Sequence, residues 1–145
     1  MTDRDHLTVV TAETIKPGDT LAYPYEFIHS ESSIDEAEVH RATVERLTAT
    51  QAVMTNGDRW MLDDLPRVNI RGYFAGGNCA AVFDGPDADT RARAATRANF
   101  QLTKIRRRIG SSSLASVVTN PDVLRTLIDG YWDAARLAWG EEAGQ

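Results

Sequence analysis

Short hydrophobic and alternating runs, separated by turn residues, fill the first half of the chain. They fall at residues 7–11, 20–25, 40–47, 51–55, 58–62 and 67–74. Alternation with a period of two is the pattern of a half-buried β-strand, and Pro-Gly and Asn-Gly pairs favour the tight turns between strands. The pattern therefore predicts a small antiparallel β structure in this half, with an exposed acidic loop over residues 26–38.

One hairpin is predicted in enough detail to give a register. Asn56-Gly57 lies between two alternating runs and is typical of a two-residue type I′ turn. Such a turn places Val53 opposite Trp60 and Gln51 opposite Leu62. We take the side of Val53, Trp60 and Leu62 as the side that faces the core.

The periodicity changes to about 3.6 residues in the second half. Ala95, Ala98, Leu102, Ile105 and Ile109 recur at steps of three and four and are followed by Gly110. A second helix is predicted to begin near Pro121 and to end at Gly140, with a stripe formed by Leu124, Leu127, Ile128, Tyr131, Ala135 and Ala138. We expect the two stripes to face each other as a helical hairpin.

The motifs of the first half resemble those of small SH3-like barrel proteins encoded by bacteriophages of actinobacteria. The resemblance rests on residues 44–53 and 56–62, preceded by Lys16-Pro17-Gly18-Asp19. It implies a fold and a phage origin, and it carries no activity and no catalytic residue. The fold class predicted is α+β: a small SH3-like antiparallel β-barrel over residues 1–76, a linker over 77–85, a helical hairpin over 86–140 and a tail over 141–145.

Charge is distributed unevenly along the chain, whose formal net charge is -5. Residues 1–75 carry 13 acids and 7 bases, whereas residues 90–121 carry seven bases and no acid. These bases indicate an anionic partner, which can be a host protein, nucleic acid or the acidic first half of the same chain. The bases are Arg91, Arg93, Arg97, Lys104, Arg106, Arg107 and Arg108.

Aromatic residues form a second candidate surface. Tyr23, Tyr25 and Phe27 alternate and share one side of a strand and its following loop, a region where SH3-like barrels bind peptides. The competing interpretation places them in the core, and we favour it because large aromatic side chains are usually buried. On the last helix, Trp132 and Trp139 lie about two turns apart and form a face that docks on the sheet or on a second copy.

No catalytic or metal-binding motif emerges. His29 and His40 lie near acidic residues but at no spacing typical of a metal site, and Cys79 is a lone thiol. The sequence has no apolar run long enough to cross a bilayer and begins with polar residues, so we expect a cytoplasmic protein without cofactor.

Three functions remain open on these grounds. The first is a non-enzymatic phage-type adaptor that binds a host protein through the Arg-rich helix and the barrel surface. The alternatives are a nucleic-acid-binding regulator that contacts phosphates through the same helix, and an oligomeric structural or virion component whose helices pair between chains. The partner-binding residues predicted are Arg93, Arg97, Lys104, Arg106, Arg107, Arg108, Tyr23, Tyr25 and Phe27.

Overall fold

The computed structural model describes residues 5–25, 33–68, 79–111 and 121–140 of the 145-residue chain. Its elements are, in order, β1 (Thr20–Pro24), β2 (Val39–Leu47), β3 (Gln51–Met54), β4 (Arg59–Met61), a 3-10 turn (Leu62–Asp64), β5 (Val82–Phe83), α1 (Ala88–Ser111) and α2 (Pro121–Trp139). The strands form one antiparallel sheet in the order β4-β3-β2-β1-β5. The predicted α+β class, with two C-terminal helices after an antiparallel sheet, is confirmed.

Both faces of strand β1, which lies between β2 and β5, are buried. Leu21 and Tyr23 point into the main core, which also contains Trp60, whereas Ala22 points to the opposite side, where α1 packs. Alternate residues of a strand face opposite sides, so one strand serves two layers. The small side chain of Ala22 leaves room for the helix to approach closely.

The β3–β4 hairpin forms, but its register differs by one residue from the prediction. Ala52, not Val53, pairs with Trp60, because the loop contains three residues. The Gly57 N–H donates to the Met54 carbonyl at 2.9 Å, and within this loop Gly57 alone has a positive φ, of 93°. This is a type I turn followed by a glycine bulge rather than a type I′ turn.

The register decides which side chains reach the core. Ala52, Met54 and Trp60 belong to the main core cluster, and Leu62 packs against it. Val53 is buried on the other side of the hairpin, opposite the exposed Arg59. The prediction was therefore right for Trp60 and Leu62 and wrong for Val53.

Residues 7–11, predicted as a strand, do not form one. Their hydrogen bonds are local: the Thr14 hydroxyl donates to the Val9 carbonyl at 2.7 Å, and the Ile15 N–H donates to the Thr11 carbonyl at 3.0 Å. Val10 and Ile15 are nevertheless buried in the main core. The apolar pattern thus predicted burial correctly, but these side chains reach the core from turns rather than from a strand.

A strand lies inside the segment predicted as a linker. Residues 79–83 are all buried, and β5 pairs with β1 through Val82 and Phe83. A segment that is buried on both sides reads as a continuous apolar run without alternation, which is why the sequence pattern did not reveal it. The predicted strand 67–74 begins in the described part, where Arg67 bridges Ala80, and its residues 69–74 lie outside the described residues.

The two helices pack against each other, as predicted, through an interface rich in alanine, but the predicted stripes meet only in part, since Ile109 is exposed. Ala98 of α1 meets Ala134 and Ala135 of α2, and Trp139 packs there as well. A second cluster joins α1 to the sheet. It contains Ala88, Ala92, Ala94 and Ala95 of α1, Ala138 of α2, and Ala22, Ala80 and Val82 of the sheet side.

Candidate macromolecule-binding surface

The seven bases of the Arg-rich segment do not form one surface, and the first of them is structural. Arg91 is 3% exposed and donates to the carbonyls of Pro86, His6 and Phe83 at 2.8, 2.9 and 3.1 Å. Burial lowers the pKa of Arg91, and nearby carboxylates oppose that shift. Arg91 therefore joins the N-terminal segment, the end of β5 and the start of α1, and it is not available to a partner.

Arg93 and Arg97 hold the acidic segment between β1 and β2. Arg93 donates to the Ala37 carbonyl through Nε at 3.3 Å and Nη2 at 3.0 Å. Arg97 pairs with the Asp35 carboxylate at 2.7 Å. The acidic first half of the chain thus binds this part of the basic segment, one of the three partners that the charge pattern left open.

Lys104 and Arg108 continue the same side of α1 toward its end. With about 100° per residue, Arg93, Arg97, Lys104 and Arg108 fall within an arc of about 60°. We call these four residues the basic stripe. The Lys104 ammonium lies 4.9 Å from the centre of the Phe100 ring, a cation–π distance. The Arg108 Nε–H is buried and has no hydrogen-bond acceptor.

Arg106 and Arg107 mark the place where α1 extends past the sheet. Arg106 follows Ala88 by about five helical turns and lies on the same side of the helix. That side is buried at Ala88 and Ala95 but exposed at Arg106, and Arg107, about 100° further round the helix, is exposed as well. The sheet therefore no longer covers α1 here, and the Arg106 guanidinium lies on the side where alanines pack earlier.

Apolar side chains accompany these arginines. Gln101 lies against Gly130, with 3.6 Å between its Cδ and the position of a Cβ at that glycine. In an antiparallel pair with this contact, Ile109 and Val123 lie at about the same level along the two helices. Ile109 is 58% exposed and Val123 is 46% exposed. We call Arg106, Arg107, Ile109, Val123 and Arg125 the cationic tip; all five side chains are exposed.

Residues 90–121 contain no Asp or Glu, so the part of α1 that follows its first turn carries no acidic side chain. Asp122, at the start of α2, is the first acid that follows. The cationic tip therefore combines positive charge with exposed apolar area.

The three predicted aromatic residues have different positions. Tyr23 is 2% exposed and meets Trp60 edge-on at 5.2 Å, as the core interpretation predicted. Burial, with a contribution from Asp58, raises the pKa of Tyr23 to about 12. Tyr25 is 37% exposed and stacks on His40 with ring centres 4.5 Å apart. Phe27 lies outside the described residues.

The other candidate groups do not assemble into a site. In the described part of the chain, no three His, Cys, Asp or Glu side chains lie close enough together to hold a metal ion. His40 lies 3.5 Å from Glu38, His29 is outside the described residues, and Cys79 is buried. Among the described helices, neither is long and apolar enough to cross a membrane.

The predicted docking of the tryptophans holds for one of them. Trp139 packs against the cluster that joins α1 to the sheet, with its Nε1–H buried and without an acceptor. Trp132 meets Tyr131 at 4.9 Å. Sequence reasoning did not identify Ile109 and Val123 as exposed, because both occupy apolar positions in or beside the predicted stripes.

No family model, curated protein or solved structure matches the chain significantly.

Proposed function

We propose that the protein is a non-enzymatic adaptor that binds an acidic surface of a host protein through the cationic tip, with Lys104 and Arg108 beside it. In this proposal it is of the kind encoded by actinobacterial phages, acts in the cytoplasm of the host cell, and its sheet is an SH3-like barrel. The strand order, with a 3-10 turn before the chain returns to pair with β1, supports that barrel.

The observation that carries the proposal is the exposure of Arg106 and Ile109, which are neighbours one turn apart on α1, with Arg107 and Val123 also exposed at this end of the helix pair. Arginine is enriched in protein interfaces, and exposed apolar area adjoining it supplies the burial that stabilises a complex. Arg93 and Arg97 lie outside the tip and hold residues 35–37 against α1. Tyr25, which directly follows β1, is a second contact point.

Nucleic acid is the weaker candidate. Phosphate binding needs positive charge but gains little from exposed isoleucine or valine, and the chain as a whole carries a net charge of -5. Self-association through the helices has less apolar area to use within the described residues, since Ala98 of α1 already packs against Ala134 and Ala135 of α2 in the same chain. A protein partner therefore agrees best with the mixed chemistry of the tip.

Affinity capture from an actinobacterial lysate, after nuclease treatment, tests the proposal. The double variant Arg106→Glu/Arg107→Glu reverses two charges at the tip. The matched control, Arg46→Glu/Arg59→Glu, reverses two charges on exposed side chains of the sheet. We expect a protein that the wild type and the control retain and that the tip variant loses.

Retention of the same protein by all three forms would contradict the proposal. Loss of the captured protein on nuclease treatment alone would indicate nucleic acid as the bridge. Circular dichroism of each variant confirms that the fold is retained, since exposed substitutions usually change stability by no more than about 0.5 kcal/mol.

A further inference from the structure

The side of the helix pair that packs on the sheet continues past the sheet. Ala95 belongs to the cluster that joins α1 to the sheet, and Trp139 of α2 packs against that cluster. Leu102 and Arg106 follow Ala95 on α1, and each lies within about 20° of its direction. Ile128 precedes Trp139 on α2 and is equally close to its direction. These three later side chains therefore lie on the sheet side of the pair, beyond the sheet itself.

Apolar side chains form the floor of a groove between the two helices on this side. Ala98 and Ala135 meet in the interface and mark the direction in which each helix faces the other. Leu102 lies about 40° from Ala98, and Ile128 lies about 20° from Ala135, both toward the sheet side. Both side chains are half-buried. Ile109, about 20° from Ala98 and 58% exposed, extends the floor toward the end of α1.

An arginine lies on each rim of this groove. Arg106 and Arg125 are each about 80° round their helix from the alanine that marks the interface, again toward the sheet side. Gln101 lies against Gly130, and the two helices are antiparallel. Because Arg106 follows this contact on α1 by as many residues as Arg125 precedes it on α2, the two arginines lie at the same level. We call Leu102, Arg106, Ile109, Arg125 and Ile128 the distal groove.

Both rim arginines are available to a partner. Arg106 and Arg125 are exposed, and in the described part of the chain neither side chain has a hydrogen bond, an ion pair or a ring contact. The acid of α1, Asp89, lies in its first turn, about 25 Å from Arg106 along the axis. The distal groove thus presents an accessible apolar floor between two unneutralised guanidinium groups.

We infer that the distal groove binds an acidic amphipathic helix of the partner protein. This inference rests on the proposed function and names the segment that the partner presents. A groove between two packed helices accommodates a third helix, whose apolar stripe packs on the floor. Carboxylates on both flanks of that stripe pair with Arg106 on one rim and Arg125 on the other. A phosphodiester chain would pair with the arginines but would leave the apolar floor uncovered.

The probe is an end-blocked synthetic peptide of about 18 residues, a length that supports a helix in water. Its leucines recur at steps of three and four, glutamates flank the leucine stripe, and alanines fill the remaining positions. The measurement is the NMR amide spectrum of the full-length protein during titration. We expect saturable shifts centred on Leu102 and Ile128, with equal affinity for the wild type and for the control Arg46→Gln/Arg59→Gln, which removes two exposed charges from the sheet.

Charge and apolar contact are tested separately. Arg106→Gln/Arg125→Gln should weaken binding about tenfold, because two exposed ion pairs are lost. A peptide with glutamine in place of glutamate should bind the wild type about tenfold more weakly and should no longer distinguish it from this double variant. A peptide of the same composition, with its leucines spread around the helix, should give no saturable shift.

Absence of a saturable shift with the acidic peptide, shifts centred outside the distal groove, or equal binding by Arg106→Gln/Arg125→Gln would overturn the inference. Equal binding of the peptide with spread leucines would overturn it as well. So would tighter binding of a short oligothymidylate, or of vesicles made of equal parts phosphatidylcholine and phosphatidylglycerol, since either result would assign the groove to phosphate groups.

The capture experiment separates this inference from the proposed function. If the acidic peptide fails while Arg106→Glu/Arg107→Glu still loses its captured protein, the proposed function stands and only this inference is wrong. If the peptide binds as expected and no protein is captured, the proposed function is wrong.

Discussion

Replacement of Arg91 by methionine tests how the structure uses its buried arginine. Methionine keeps much of the length and volume of the side chain but donates no hydrogen bond. The guanidinium binds three carbonyls, of Phe83, His6 and Pro86. We expect Arg91→Met to destabilise the protein, since all three acceptors lose their charged donor.

The size of the effect follows from the accessibility of the three carbonyls. The bond to Phe83 is buried, so that its loss costs about 2 kcal/mol. The bonds to His6 and Pro86 are partly accessible, so water can replace the guanidinium there at about 0.5 kcal/mol each. The free energy of unfolding should therefore fall by about 3 kcal/mol.

Urea denaturation at neutral pH measures this change. With a slope of about 2 kcal/mol per molar urea, the midpoint should fall by about 1.5 M, and the melting temperature by about 6–12 °C. The control Arg93→Met removes bonds to one partly accessible carbonyl and should cost about 1 kcal/mol. If Arg91→Met were as stable as the control, the structural role of Arg91 would be refuted.

Three further predictions concern the core, the hairpin and the helix seam. Because the pKa of Tyr23 is raised to about 12 in the folded state, the free energy of unfolding should not change through this group below pH 10 and should fall between pH 10 and 12. A tyrosinate absorbance titration measures the ionisation directly, and ionisation of every tyrosine near its ordinary pKa would contradict this prediction. Gly57→Ala should cost about 1–2 kcal/mol in urea denaturation because the bulge needs a positive φ, and an unchanged midpoint would refute the three-residue loop. Ala92→Leu should cost about 1–3 kcal/mol by overpacking the seam between α1 and the sheet, whereas Thr90→Leu, on the exposed side, should cost little; equal midpoints would argue against close packing there.

Local sequence patterns predicted those parts of the fold that depend on the spacing of nearby apolar residues. Strands β1 to β4 and both helices lie where alternation and 3.6-residue periodicity indicated. The hairpin register was missed because Asn56-Gly57 fits two loop types, and only the pairing of Ala52 with Trp60 distinguishes them. The strand β5 was missed because burial on both sides removes the alternation on which the prediction depends.

The basic segment shows a different limit of sequence reasoning. Composition identified seven bases in a segment without an acid. Which of these side chains are paired within the protein depends on contacts with residues far away in the sequence. His6 accepts from Arg91, and Asp35 accepts from Arg97 across 62 positions of the chain. No local pattern indicates such contacts, so the division of the segment into an internal half and an exposed half required the tertiary structure.

The central claim is that the basic segment consists of an internal half and an exposed half. It is tested most directly by measuring, for the same variants, both the retention of the partner and the melting temperature. Arg93→Gln/Arg97→Gln should lower the melting temperature and still retain the captured protein, because these side chains hold the chain's own residues 35–37. Arg106→Glu/Arg107→Glu should melt like the wild type and lose the protein. The reverse result, with loss of the partner in the first variant and retention in the second, would contradict the account.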